Sequence, residues 1–215
     1  MRGMSETKRS VRLTHFSMLR SYRAADLLTL GNAAAGTAAI FAIMSYLETP
    51  DRWRVYLALG LLPLALVLDI ADGRVSRWQK QHSLFGAELD SLADIVSFGA
   101  APAALAYALG MRGGWDVAIL LFFVACGVSR LARYNVSAAE IAAAGEKVKY
   151  FEGTPIPSSL FLILILGACF HWYRVGEALP LGAVRIAGLE WHPFSSMYLL
   201  SGAAMISKTL RIPKL

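Results

Sequence analysis

Four aspartates carry the chemistry that can be read most directly from this chain: Asp69 and Asp72, then Asp90 and Asp94. Residues three or four apart on an α-helix share a face, so the spacing places two carboxylate pairs on two successive helices. Each pair adjoins a long apolar run, where an ionisable group is costly enough to mark function. Four unpaired carboxylates repel, so something positive is expected among them. Hard carboxylate oxygens suit Mg²⁺ or Mn²⁺, and four of them would hold two such ions about 4 Å apart, an arrangement that clamps a phosphate. The residues between the pairs fit that chemistry. Gly73 leaves the backbone open to close approach, Arg74 and Arg77 offer planar donor forks to phosphate oxygens, and Gly86 leaves room for a bulky substrate or for the second helix to pass. Two rival readings remain. One is an interfacial salt-bridge cluster of the aspartates with Arg74, Arg77 and Lys80, which the regular pairs and glycines disfavour. The other is a divalent-cation carrier, which needs polar residues continuing across the membrane, where the fourth and fifth helices offer little beyond Ser129, Ser158 and Ser159.

The elements that must position these groups are apolar helices. At 215 residues, 56% hydrophobic and 17% charged, the chain reads as an integral membrane protein rather than a soluble domain. The first uncharged run, 27–47, has 21 residues, enough to cross a hydrocarbon core. The second, 55–68, runs into Asp69, and Pro63 is a candidate kink. The third, 85–111, carries Glu88, Asp90 and Asp94 in its first turns. Further helices are expected over 114–130, 154–173 and 192–207, the last being short. The fold class is thus all-α, a polytopic membrane protein with six transmembrane helices over 25–210 and a cytoplasmic tail at 211–215. The basic segment 1–24 precedes them. Arg9, Arg12, Arg20 and Arg23 fall within one helical sector there, which suggests a short interfacial helix on anionic lipid, with a solvated basic tail as the alternative. The first 24 residues are too polar for a cleaved signal peptide.

Orientation follows from the basic residues, which concentrate in cytoplasmic connections. With six crossings, the side that holds both termini and the four aspartates receives 16 of the 21 Lys and Arg, and the opposite side only Arg52, Arg54, Arg112, Arg174 and Arg185. That side is therefore the cytoplasmic one. The net charge of +6 belongs to this topology and not to nucleic acid, since no basic patch lies on a soluble domain. Cys126 and Cys169 lie inside apolar runs, as packed small hydrophobes. Trp53, Trp115, Trp172 and Trp191 gather at helix ends on the non-cytoplasmic side, as an aromatic belt would. Gly31, Ala35 and Ala39 recur every four residues, which suits close helix packing and a subunit contact. His15, His82, His171 and His192 show no ligand spacing.

The run Asp69-x2-Asp72-Gly73-x2-Ser76-Arg77-x8-Gly86-x3-Asp90-x3-Asp94 resembles the signature of the CDP-alcohol phosphatidyltransferases, membrane enzymes that displace CMP from a CDP-linked lipid or alcohol. Ser76 stands where that family usually has alanine. The resemblance implies that Asp69, Asp72 and Asp90 bind two Mg²⁺ or Mn²⁺ ions, and that Asp94 is both a ligand and the general base. It also implies that Gly73, Arg77 and Gly86, with Arg74 and Ser76 beside them, form the CDP site. The stretches from Asp90 to Pro102, Arg130 to Asn135, Phe151 to Pro157 and Ser207 to Pro213 look like the phosphatidylserine synthase branch. The first helix follows through Leu28-Thr-Leu-Gly-Asn32, although Ala25-Asp26 stands where the branch commonly has Pro-Asn. This implies CDP-diacylglycerol and L-serine as substrates, the inner cell membrane as location and, as in similar family members, a homodimer. Serine carries a carboxylate and an ammonium, so its pocket should present an arginine and an acceptor near Asp94. Arg130, Arg133 and Asn135, at the cytoplasmic end of the fourth helix, are the candidates, although the positive-inside pattern alone would also place arginines there. A phosphorylated acceptor such as glycerol phosphate or inositol phosphate is the alternative, with Lys147 and Lys149 available to its phosphate.

Overall fold

The computed structural model describes residues 22–79, 83–143, 150–207, 209 and 211–213. The N-terminal segment lies outside these save for its last three residues, of which Ala24 already opens the first long helix; His15, His82, Lys147 and Lys149 lie outside them as well. That helix, α1 (Ala24–Glu48), returns through a short turn into α2 (Arg52–Trp78). The two pack as a hairpin because the facing side chains are small: Ala35, Ala39 and Ala42 on α1 meet Val55, Ala58, Leu62 and Ala65 on α2, all buried. A Cβ added at Gly31 would already lie 3.4 Å from Leu68. The four-residue stripe of small residues is therefore spent inside the chain, and the subunit contact expected of it is not available there. Helix α2 continues unbroken through Pro63, which is exposed, and carries Asp69 and Asp72 in its second half.

The third apolar helix spans Leu84–Ala108 in three parts: α3 (Leu84–Asp94), a π-helical turn (Ile95–Ala100) and α4 (Ala101–Ala108). The wide turn has a local cause. Pro102 has no N–H and its ring would press on the carbonyl four residues back, so the preceding turn opens and Ala101 N–H reaches Val96 O instead. The turn is also where α1 crosses most closely: a Cβ added at Gly36 would stand 2.7 Å from Ser97 Cα, and Ser97 Oγ donates to Asn32 O at 2.9 Å.

Helix α5 (Gly114–Ala143) is 30 residues long and runs well past the expected end at Arg130, so Arg130, Arg133 and Asn135 sit on regular helix. The last two helices are shorter than expected. Each is entered by a 3₁₀ turn, Ile156–Ser158 before α6 (Ser159–His171) and Pro193–Ser195 before α7 (Ser196–Ile206). Among the described residues, four helices are long and apolar enough to cross a membrane, and Ile156–His171 is a shorter apolar helix. Their outward faces carry exposed apolar side chains such as Leu27, Phe41, Val67, Leu121 and Leu164, as befits an integral membrane protein. The all-α expectation also misses two small strand pairs. In one, β1 (Tyr150–Glu152) pairs antiparallel with β4 (Arg211–Pro213). In the other, β2 (Val184–Ile186) pairs with β3 (Leu189–Trp191) across Ala187 and Gly188, both at positive φ as a tight hairpin turn requires. Strands of three residues give too little alternation to be read from sequence.

The end away from the aspartates is tied down by two polar clusters. Fully buried Asp116 accepts from Gly113 N (3.0 Å) and His192 N (2.9 Å), and lies 2.6 Å from His192 Nδ1, joining the start of α5 to the approach to α7. Arg52 caps the C-terminus of α6, donating to Phe170 O at 3.1 Å and His171 O at 3.3 Å while its guanidinium stacks 3.9 Å from the Tyr173 ring. Between the two ends lies an apolar core that includes Leu62, Phe98, Leu105, Ile163, Leu166 and Tyr198. Cys126 and Cys169 are free thiols, as expected.

The crossing of α1 over the π turn tolerates no added atom. Gly36→Ala should lower stability by about 1–3 kcal/mol, the usual range for overpacking. Gly60→Ala is the control: nothing lies within 4 Å of its added Cβ, so it should be neutral or slightly stabilising. Thermal unfolding of the two variants in detergent checks this.

Candidate metal and nucleotide site

The second half of α2 and the first turns of α3 come together at one end of the bundle, and their acidic faces meet. Asp69, Asp72 and Asp90 each place a carboxylate oxygen within 4.8 Å of the others. Asp72 and Asp94 are buried, and Asp90 Oδ1 is enclosed with no hydrogen-bond partner. Among the described residues the ion pairs are Arg54 with Asp51 and His192 with Asp116. Neither Arg74 nor Arg77 forms an ion pair with any of the four aspartates, which removes the salt-bridge reading for these two; Lys80 lies outside the described residues.

What restrains the carboxylates comes instead from α1. Thr29 Oγ1 donates to Asp72 Oδ2 at 2.6 Å, and Asn32 Nδ2 donates to Asp94 Oδ1 at 3.2 Å. Asp94 therefore stands beside the compact trio with one oxygen engaged. Neither Thr29 nor Asn32 was a candidate from sequence. The available signal was that Asp26, Thr29 and Asn32 recur every three residues in an otherwise apolar helix, which puts them on one face, and all three are buried. Asp26 holds the helix start by accepting from Arg23 N at 2.9 Å.

The glycines act at different neighbours than expected. A Cβ at Gly86 would lie 3.0 Å from Ser83 Oγ and 3.3 Å from Asp26 Oδ1, so the close neighbour is the first helix and not the second. Ser83 caps α3 by accepting from Gly86 N at 3.0 Å. At Gly73 the added atom would meet the Arg77 guanidinium at 3.4 Å, so Arg77 folds back over the bare backbone of its own helix. Arg74 is exposed, and Ser76 is half-buried. On α5, Asn135 and Ser91 bond each other, with Nδ2 to Oγ at 3.0 Å, which fixes this end of α5 against α3. Arg130 is half-buried, its Nε has no partner, and its charge acts on Asp94. Arg133 is exposed. The structure thus gives Arg130 a half-buried position from which its charge acts on Asp94, ties Asn135 to Ser91 on α3, and leaves Arg133 on the outer surface.

The family model described as CDP-alcohol phosphatidyltransferase matches residues 22–191, which includes every one of these side chains. The chain belongs to that family. It is similar to proteins named CDP-diacylglycerol--serine O-phosphatidyltransferase from several organisms. The one from Saccharomyces cerevisiae is 42% identical over 203 residues, covering 93% of this chain and 74% of the relative. That from Helicobacter pylori is 35% identical over 191 residues, 87% of this chain and 70% of the relative. That from Mycobacterium tuberculosis is 35% identical over 155 residues, 69% and 51%.

For a CDP-alcohol phosphatidyltransferase the donor set is apt. Three clustered carboxylates, one with a desolvated and unpartnered oxygen, and no nitrogen or sulfur ligand fit a hard divalent cation such as Mg²⁺ or Mn²⁺. Side chains that orient metal ligands typically contribute about 10–100-fold in affinity. Thr29→Val, which removes only the hydroxyl on Asp72, should therefore weaken Mn²⁺ binding by about that factor. Asp90→Asn should weaken it more. Electron paramagnetic resonance of free Mn²⁺ during titration measures both, and unchanged Mn²⁺ binding in Asp90→Asn would place the ion elsewhere.

Proposed function

We propose that this enzyme transfers the phosphatidyl group of CDP-diacylglycerol to L-serine, giving phosphatidylserine and CMP. The observation that carries the reading is the trio Asp69, Asp72 and Asp90 beside Gly73, Arg77 and Gly86, at the mouth of an apolar bundle. An amphiphile with a diphosphate head and acyl tails matches a site that is acidic and glycine-lined at one edge and greasy below. Two divalent ions held by Asp69, Asp72, Asp90 and Asp94 would neutralise the diphosphate and the charge that develops on departing CMP.

The chain's own groups supply the rest. Gly73 and Gly86 keep side chains out of the diphosphate's way, and Arg77, folded over Gly73, is placed to bond its oxygens, with Arg74 and Ser76 at the rim. The serine hydroxyl attacks the β-phosphorus, the bond from that phosphorus to the bridging oxygen breaks, and CMP leaves with the bridging oxygen. Asp94, buried and with only Oδ1 taken by Asn32, receives the hydroxyl proton. No covalent intermediate with the protein is needed. The guanidinium of Arg130 is the candidate partner for the serine carboxylate, with Asn135, held to Ser91, further along α5 and the exposed Arg133 steering the anion inward.

The surrounding arrangement is proposed in the same sense: six crossings with α6 and α7 as short spans, the site and both termini at the cytoplasmic face of the cell membrane, and assembly as a homodimer. The bias of basic residues supports the orientation, and the resemblance supports the dimer. A divalent-cation carrier fits less well, because among the described residues those buried between the two ends are mostly apolar, interrupted by hydroxyls such as Ser97 and Ser159.

The deciding assay supplies purified protein with CDP-diacylglycerol and Mn²⁺ or Mg²⁺, and compares L-serine, glycerol 3-phosphate and inositol phosphate as acceptors. CMP should appear with serine. Asp94→Asn should lower turnover by about 10²–10⁴-fold, the range for a lost general base. CMP release only with a phosphorylated acceptor rejects serine, and release with none favours the carrier.

A further inference from the structure

Asn32 is fully buried, and its polar ends are used unequally. Its backbone carbonyl accepts from Ser97 Oγ, which fixes α1 against the π turn at this residue, and its Nδ2 donates to Asp94 Oδ1. Its Oδ1 has no hydrogen-bond partner. An unpaired buried amide oxygen costs about 1–3 kcal/mol, and buried polar groups are otherwise almost always satisfied. Turning the amide over does not help, since Oδ1 would then face the Asp94 carboxylate and the N–H groups would lose their acceptor. Asp94 thus fixes the orientation that leaves an acceptor open beside it.

The second unfilled group near Asp94 is a donor. Arg130 Nε is enclosed without a partner on α5, and the guanidinium charge acts on Asp94. Around the carboxylate that takes the hydroxyl proton, the chain therefore offers one open acceptor and one open cationic donor. A molecule with a hydroxyl, an ammonium and a carboxylate on adjacent carbons complements all three. Resting on the serine reading, we infer that Asn32 Oδ1 accepts a hydrogen bond from the α-ammonium of the acceptor substrate, so that Asn32 selects an amino acid over a hydroxy acid or a polyol phosphate. The amide's other end keeps Asp94 aimed at the same molecule's hydroxyl, so binding and proton transfer share one side chain.

Calorimetric titration of L-serine into the detergent-solubilised full chain, loaded with CMP and Mn²⁺, tests this. A hydrogen bond to a charged group corresponds to about 10–150-fold in affinity, so Asn32→Leu and Asn32→Ala should each raise the serine Kd by at least about 10-fold. At saturating Mn²⁺ the CMP affinity should stay within about twofold, which also reports an intact site. Asn32→Asp keeps an acceptor oxygen and loses the donor to Asp94. It should hold the serine Kd within about threefold of the parent while turnover falls, a split that a merely structural role would not produce. The inference is overturned if Asn32→Leu and Asn32→Ala bind serine normally, or if Asn32→Asp weakens serine as much as they do. It is equally overturned if CMP affinity at saturating Mn²⁺ falls in step with serine affinity, which would make the amide a support of the whole site and not a contact to the ammonium. Failure of the parent protein to bind serine at all would instead sink the acceptor assignment on which the inference rests.

Discussion

Carboxylates do not gather at the end of an apolar bundle unless the rest of the chain forces them there. Two unit charges about 4 Å apart near a protein surface repel by about 4 kcal/mol, and here three carboxylates lie within 4.8 Å of one another with neither Arg74 nor Arg77 paired to them. The opposing terms are packing terms. Alanines along α1 and α2 let those helices close, Gly36 lets α1 settle on the π turn, and Gly86 lets the start of α3 approach Asp26. The geometry that a cation would need is thus built by contacts that contain no charge, and the polar groups of α1 only trim the result. Helix α1, which lends the site no metal ligand in this reading, is nonetheless the element both acidic helices are packed against.

The acidic pairs were legible because helix periodicity is a local property: Asp69 with Asp72 and Asp90 with Asp94 needed only 100° per residue to be placed. The first four apolar helices were legible for the same reason, as long uncharged runs. What escaped the sequence was everything decided between elements. Thr29 and Asn32 look like ordinary polar interruptions of a membrane helix until α2 and α3 are set against them. Gly86 reads as room for a substrate or a second helix, and its neighbour turns out to be the first helix, because α3 packs against α1. The π turn follows from Pro102, but only its packing against Gly36 makes it a feature of the site. Arg130 and Arg133 were indistinguishable in sequence, both explained by the positive-inside pattern, and only the rotation of α5 separates the half-buried one from the exposed one.

The two ends of the molecule are made differently. At the end away from the aspartates, the polar groups that matter find partners within the chain: Asp116 takes up two backbone N–H groups and His192, and Arg52 fills the last carbonyls of α6. Those bonds offset the weakness of α6 and α7, which are too short for their own hydrogen bonding and burial to hold them firmly. At the acidic end, Asp90 Oδ1, Asn32 Oδ1 and Arg130 Nε remain unpaired although enclosed. Arg54 Nε, Trp191 Nε1 and Ser195 Oγ are enclosed without a hydrogen-bond partner at the other end as well; what sets the acidic end apart is that its unpaired atoms lie around one cluster of carboxylates, where a ligand would complete the hydrogen bonding.

The apolar side chains below the cluster also bear on why it belongs to an enzyme and not to a carrier. A transported cation must leave by the opposite side, through groups able to replace its hydration along the way. Beneath the aspartates lie Phe98, Leu62, Leu105, Ile163 and Leu166, all enclosed and all apolar. Among the described residues only hydroxyls such as those of Ser97, Ser159 and Ser195 interrupt that floor before Asp116, too few to replace the hydration of an ion leaving the trio downward. A floor of that kind is useless to a conduit and well suited to a site where a lipid's head must be held in a fixed position above the apolar side chains that meet its tails.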